Sequence, residues 1–388
     1  MSFPSPLARG YTHDAAPVPA GPAVPPLPEL PSKGRRAVPW LVAVLVVALL
    51  GLVAYFLEAI GPGASIVGMI VALVPLAVVL LAVRFVDRWE PEPRSLVLLA
   101  VCWGAIAAVA IALAVDLLVT RAFGPADTPL REGFQAVIQA PIVEELAKGL
   151  GVFLIFATAR RAFDGPVDGI VYGALVAAGF AFTENIQYFA VSMIEGGASQ
   201  LTTTFILRGL LSPFAHVMFT SVTGFAVGLA ARRGARTRDA VGPWLLGVAG
   251  AATLHALWNA SAQFFDFFAL YVSLQIPLFV LFIVGVLLLR REERRLTRER
   301  LGEYAAAGWF TPQEVDMLAT PHGRRAALAW AGTLRGDRTA LMRGFIADAT
   351  TLAAVRQRIV TGRDPGAVAD QQTLLARTVA TRHALFAA

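Results

Sequence analysis

The segment Pro141-Ile142-Val143-Glu144-Glu145-Leu146-Ala147-Lys148 places two adjacent carboxylates and an ammonium in a stretch that is otherwise apolar enough to lie in a bilayer. A charge near the bilayer centre costs about 2.5–3.5 kcal/mol on insertion scales, and such residues generally face a protein cavity and mark a site. Glu144 and Lys148 are four apart, in the favourable order for a helical ion pair, which a purely structural role would explain. Glu145 points about 100° away from Glu144 on a helix and cannot meet Lys148 equally well, so it needs another reason. Further polar residues interrupt later apolar runs: Glu184, Asn185 and Tyr188; His216 and Thr220; His255 and Asn259. Two histidines and a glutamate suit zinc, with a second carboxylate left to act as base on a bound water. The same groups serve without metal, a glutamate taking the proton of water while a histidine and Asn259 donate to an oxyanion. Both designs are hydrolytic. No His-Glu-x-x-His spacing is present to choose between them.

The elements that must position these residues are membrane helices. The chain has 388 residues, 56% hydrophobic and only 15% charged, with mean hydropathy +0.64. These values exclude an ordinary soluble domain and describe an all-α polytopic membrane protein. Apolar runs fall at 40–60, 65–85, 95–119, 133–158, 167–192, 203–231, 241–262 and 268–289, which predicts about eight spans in a transmembrane domain covering 39–289. Arg84, Arg88, Arg94, Arg160, Arg161, Arg232, Arg233, Arg236, Arg238, Arg290, Arg291, Arg294 and Arg295 all fall on the side shared with the amino terminus. Both termini are therefore expected in the cytoplasm. Counted from the cytoplasmic boundaries at 1.5 Å per residue, Glu144, His216 and His255 lie roughly 20–23 Å deep and Glu184 roughly 23–26 Å. Four helices thus bring their polar residues to one layer. A lone buried histidine is usually a satisfied core residue, but convergence at one depth is a site signature. Tyr188, Thr220 and Trp258 read as packing or supporting groups, and Asp116 and Arg208 as charges at the outer interface.

Residues 1–38, rich in Pro, Ala and Gly, are expected to form a disordered cytoplasmic arm. After 289 the composition turns to Arg, Ala, Glu and Asp, predicting a cytoplasmic helical region over 290–388 in which Thr311-Pro312-Gln313-Glu314 is a capping box. Cys102, the single cysteine, has no disulfide partner in the chain. The net charge of +6 comes largely from arginines beside the spans; it is a topology signal facing the lipid bilayer, not a nucleic-acid footprint.

Taken together, Pro141–Lys148, Gly179-Phe180-Ala181-Phe182-Thr183-Glu184-Asn185-Ile186-Gln187-Tyr188, Arg208 with Pro213-Phe214-Ala215-His216, and His255-Ala256-Leu257-Trp258-Asn259, preceded by Asp87 and Glu90-Pro91-Glu92-Pro93, resemble the PrsW family of intramembrane proteases. The resemblance covers roughly 84–262. That family is in turn similar to the CAAX prenyl endopeptidase superfamily, whose Glu-Glu and His-x-x-x-Asn motifs correspond to Glu144-Glu145 and His255–Asn259; Glu184 stands where the wider group often has histidine. The resemblance implies cleavage of a membrane-embedded protein substrate, an anti-sigma factor in that family, at a bacterial-type cytoplasmic membrane. The expected catalytic set is Glu144, Glu145, Glu184, His216, His255 and Asn259. If Zn2+ is bound, Glu184, His216 and His255 are the expected ligands, with Glu144 or Glu145 as base. A proton-coupled transporter or channel, or a silent scaffold held in register by buried polar groups, would use the same residue types. Flux in liposomes separates the first from a protease, and substitutions that lower only stability would identify the second.

Overall fold

A computed structural model of the chain describes residues 38–362, 364 and 366–386. The disordered arm expected over 1–38 lies outside the described residues, apart from its last position. All regular structure among the described residues is helical. Eight helices form the apolar body: α1 (Val38–Tyr55), α2 (Pro62–Val86), α3 (Arg94–Phe123), α4 (Ala140–Thr158), α5 (Pro166–Thr204), α6 (Ala215–Arg232), α7 (Val241–Phe264) and α8 (Ile276–Ala306). Four more follow: α9 (Pro312–Leu318), α10 (Pro321–Thr333), α11 (Thr339–Val360) and α12 (Ala367–Phe386).

Local chemistry sets the boundaries. α1 and α2 are joined at Gly61, whose φ of +94° suits glycine, and Pro62 opens α2 where its missing N–H costs nothing. α4 is entered through a short helix at Pro129–Phe134 and a π-type turn at Gln135–Gln139. The expected capping box is present, Thr311 Oγ1 accepting from Glu314 N at 3.1 Å and Glu314 Oε2 from Thr311 N at 2.8 Å.

Six helical runs among the described residues are long and apolar enough to cross a membrane: Val42–Ile60, Pro62–Val86, Arg94–Phe123, Pro166–Arg232, Arg238–Phe264 and Phe267–Ala306. Against the eight expected segments, α4 is missing because Glu144, Glu145 and Lys148 break its apolarity. The fourth run merges two expected segments. Its 67 residues would extend about 100 Å as one helix, three times a bilayer's hydrocarbon core. Instead the backbone leaves helical geometry at Gly196 and Gly197, and α6 returns antiparallel to α5. A Cβ built on Gly169 would stand 2.0 Å from the Gly224 carbonyl oxygen, so the two helices meet backbone to backbone through small residues.

α5 is the most enclosed helix, with Val171 to Ala178 buried throughout, while α1 and α2 turn Val47, Leu50, Ile70 and Leu81 outward as lipid-facing helices do. Beyond the bilayer-length part of α8, Leu301, Leu318, Leu352 and Leu374 build a second core among α8 to α12. This core grips the loop between α2 and α3. The Arg324 guanidinium stacks 3.4 Å from the Trp89 ring and donates to the Trp89 carbonyl at 2.9 Å. Trp89 Nε1 donates to Thr297 Oγ1 at 3.2 Å.

Candidate active site

Lys148 is the centre of the polar layer. Its side chain is fully buried and reaches Glu145 Oε1 at 2.5 Å and Glu144 Oε2 at 3.5 Å. Glu145, which the helical-wheel argument left without a role, is therefore the closer partner: three residues apart also share a face. Lys148 Nζ also lies 3.2 Å from His216 Nδ1 and 4.1 Å from the centroid of Phe180. An ammonium has only donors, so His216 Nδ1 accepts. The proton then sits on Nε2, which donates to Glu184 Oε2 at 3.0 Å.

Glu145 is held on every side. Its Oε2 accepts from Thr220 Oγ1 at 2.8 Å, and its Oε1 lies 3.2 Å from His255 Nδ1. A carboxylate on Nδ1 fixes the tautomer with the proton there and leaves Nε2 as a lone pair, the arrangement that orients metal-ligating histidines. His255 is stacked against Phe219 at 5.0 Å and meets the His216 ring edge to face, also at 5.0 Å. Glu144 is held more loosely: its Oε2 lies 3.9 Å from His255 Nδ1, and its side chain is 13% exposed against none for Glu145.

The expected layer is thus assembled from α4, α5, α6 and α7, and it contains one residue more than expected. Arg208, read as an interfacial charge, turns inward to form an ion pair with Glu184, donates from Nε to Asn185 Oδ1 at 2.9 Å, and stacks 3.8 Å over Tyr188. The residue sits in the π-type stretch Phe205–Leu211 before α6, where a long side chain can reach back about a turn. Asn259 departs in the other direction. Its Nδ2 donates to the Ala136 carbonyl at 2.8 Å and ties α7 to the entrance of α4.

A cavity of about 370 Å³ opens beside the layer. Glu144 and Glu184 stand on its wall, with Asp116, Glu132, Phe180 and Tyr188. Glu145 lies behind them. Among the described residues, the ligand atoms of Glu144, His216 and His255 lie within 4.8 Å of one another. Two imidazoles and a carboxylate at that separation fit a divalent metal provided that it replaces Lys148 at His216 Nδ1, and the Glu145 bond to His255 supplies the supporting contact. Glu184, the carboxylate expected in that trio, has Oε2 already occupied by Arg208 and His216.

The family model described as "PrsW family intramembrane metalloprotease" matches residues 92–286, half of the chain. The chain is 34% identical over 144 residues to Protease PrsW of Geobacillus kaustophilus, covering 37% of this chain and 58% of the relative. It is 28% identical over 158 residues to Protease PrsW of Clostridioides difficile, covering 41% and 63%. Against Protease PrsW of Bacillus subtilis it is 28% identical over 144 residues, covering 37% and 60%. The chain therefore spans about three fifths of the length of the curated relatives it matches. No solved structure matches it. The matched segment contains α4 to α7 and every residue of the polar layer, and by this match the chain belongs to the PrsW family of intramembrane metalloproteases.

Proposed function

We propose that the protein is an intramembrane endopeptidase that hydrolyses a peptide bond of a membrane-embedded substrate, a single-span anti-sigma factor, in the cavity beside Glu144 and Glu184. The observation that carries this reading is the Glu144, His216 and His255 trio, held by a buried lysine and glutamate, with Glu144 on the wall of a 370 Å³ cavity. Support for eight crossings with both termini cytoplasmic comes from the arginine pattern and from the reversal at Gly196–Gly197. α4 crosses despite its charges because they face the cluster and not lipid.

Glu144, His216 and His255 would hold zinc, which when bound lowers the pKa of a water and polarises a peptide carbonyl. The protein's own groups do the rest. Glu145 keeps the proton on His255 Nδ1, and Glu184 keeps the other on His216 Nε2, so that His216 would offer Nδ1 to the metal in place of its contact with Lys148. Arg208 anchors Glu184 by Oε2, leaving Oε1 towards the cavity to take the proton of the attacking water. The water oxygen bonds to the carbonyl carbon, the C–N bond breaks, and Glu184 returns the proton to the departing amine. Arg208 thereby exchanges the two carboxylates relative to the sequence expectation, Glu144 becoming ligand and Glu184 base.

Purified protein in detergent should cleave a single-span anti-sigma substrate, contain about one zinc per chain, and lose both metal and cleavage in Glu144→Gln and His255→Ala. Glu184→Gln should keep the metal and lose cleavage. Cleavage that survives chelation overturns the zinc reading, and a wild type that cuts no membrane substrate overturns the proteolytic one.

A further inference from the structure

The cavity wall carries three glutamines that the hydrolytic chemistry does not use. Gln135 and Gln139 lie one turn apart in the π-type lead-in to α4, and Gln187 faces the same space from α5, three residues beyond Glu184. All three are half-buried, and among the described residues none has a side-chain hydrogen bond. Counted from the cytoplasmic boundaries they stand roughly 28–35 Å away, at the outer edge of the hydrocarbon, and their free amides are groups that a chain entering the cavity can engage. No lysine or arginine lines this cavity, which disfavours an anionic ligand.

We propose that Gln135, Gln139 and Gln187 form a docking ladder for the unwound backbone of the substrate, a proposal that rests on the proteolytic reading above. A spanning helix satisfies its peptide groups internally, and each N–H or C=O freed in a low-dielectric environment costs several kcal/mol until it finds another partner. A protease that opens such a helix must supply those partners. Glutamine suits this task because its side chain carries both donors and acceptors, whereas the cavity's carboxylates, when ionised, only accept. The spacing also suits it. Gln135 and Gln139 stand about one turn apart on the same side of the lead-in, so both can face one extended strand, whose same-side peptide groups repeat at roughly 6.6 Å. Gln187 on α5 faces the strand from the opposite wall, beside the base.

The test measures binding separately from cutting. On the Glu184→Gln background, a fluorescent single-span Leu/Ala peptide of about 20 apolar residues, broken by a central Gly-Pro pair, is titrated into detergent-solubilised protein. Gln135→Met, Gln139→Met and Gln187→Met should each weaken its binding by about five- to tenfold, the size of one hydrogen bond, with the melting temperature unchanged. Gln→Glu should recover less than half of that loss. N-methylating the peptide bonds around the Gly-Pro pair should produce no further loss in the methionine variants, a non-additivity expected only if the amides touch the backbone. Equal binding by parent and methionine variants overturns the ladder, as does additivity with N-methylation or failure of the parent to bind the peptide. Wild type that binds but does not cut instead overturns the proteolytic reading and leaves the docking result standing.

Discussion

Carboxylates are buried beside the middle of α5 and beside its start, and the two regions treat them differently. At the polar layer Glu145 has Lys148 at 2.5 Å and Glu184 has Arg208 in contact. At the start of α5, Glu90 of the loop after α2 lies half-buried against α8 and the C-terminal helices, and it enters no ion pair among the described residues. Burial pushes its carboxyl up to about 8, Asp168 and Glu293 adding to the shift while Arg358 and Arg324 oppose it. Burial likewise raises Asp87 to about 6, although the Glu92 backbone N–H bonds its carboxylate. Glu92 accepts from Tyr172 of α5, so one helix links the two regions. Paired charge preorganises a site and holds it in one geometry; a carboxyl buried without a contacting cation makes a joint whose strength follows pH. The first suits chemistry, the second attachment of the helical region to the membrane body.

The largest effect that would break this contrast is at Lys148. Lys148→Met leaves Glu145 buried without its cation and should cost about 3–5 kcal/mol, read as a drop in melting temperature in detergent; retention of wild-type stability would mean that the layer is not held by pairing. Next, Glu184→Gln should lower kcat by about 10²- to 10⁴-fold, the range for a lost general base, while melting falls less than in Lys148→Met, since the amide oxygen still accepts from Arg208 and His216. Arg208→Gln should reduce kcat by about ten- to a hundredfold at nearly unchanged KM, since Arg208 positions Glu184 without itself touching substrate. Arg208→Lys should recover only part of this, because an ammonium cannot reproduce the planar contact with Glu184, Asn185 and Tyr188.

The smallest effect lies at the joint. Glu90 is raised above the ordinary glutamate value of 4.5, so the folded state holds this proton more tightly than the unfolded one. Its stabilising contribution is full below pH 4.5 and is lost as pH rises to about 8. Protection of α10 to α12 from protease should fall across that window, by much less than the full shift implies because Glu90 is only half-buried and solvent screens it. Glu90→Gln should flatten the dependence. An unchanged pH profile in Glu90→Gln would remove the joint's side of the comparison.

Much of the site was legible before any coordinates. Glu144, Glu145, Glu184, His216 and His255 could be brought to one depth because a bilayer gives every span a common ruler, and charge in hydrocarbon is rare enough to stand out. Arg208 was misplaced by the same ruler, because depth counting locates a Cα and an arginine reaches several ångströms further. The lead-in at Gln135–Gln139 hid a different signal: glutamines spaced along an apolar stretch resemble tolerated polar substitutions until they are found to face one cavity. Asn259 matched a family motif, yet its amide holds a backbone carbonyl. The separation of α5 from α6 was readable from the interrupted hydrophobicity near 193–202, although helical hydrogen bonding continues through most of that interval.

The helical class, the membrane habitat and the set of ionisable groups within apolar segments follow from the sequence itself, because each depends on transfer free energy or on spacing along a single helix. The tertiary structure alone decided which carboxylate Lys148 takes, which one Arg208 takes, and so which remains open to the cavity. Those choices depend on how four helices rotate and approach each other, set by contacts such as Gly169 against Gly224. In a low dielectric, a few tenths of an ångström between charges outweigh any preference encoded along one strand of sequence.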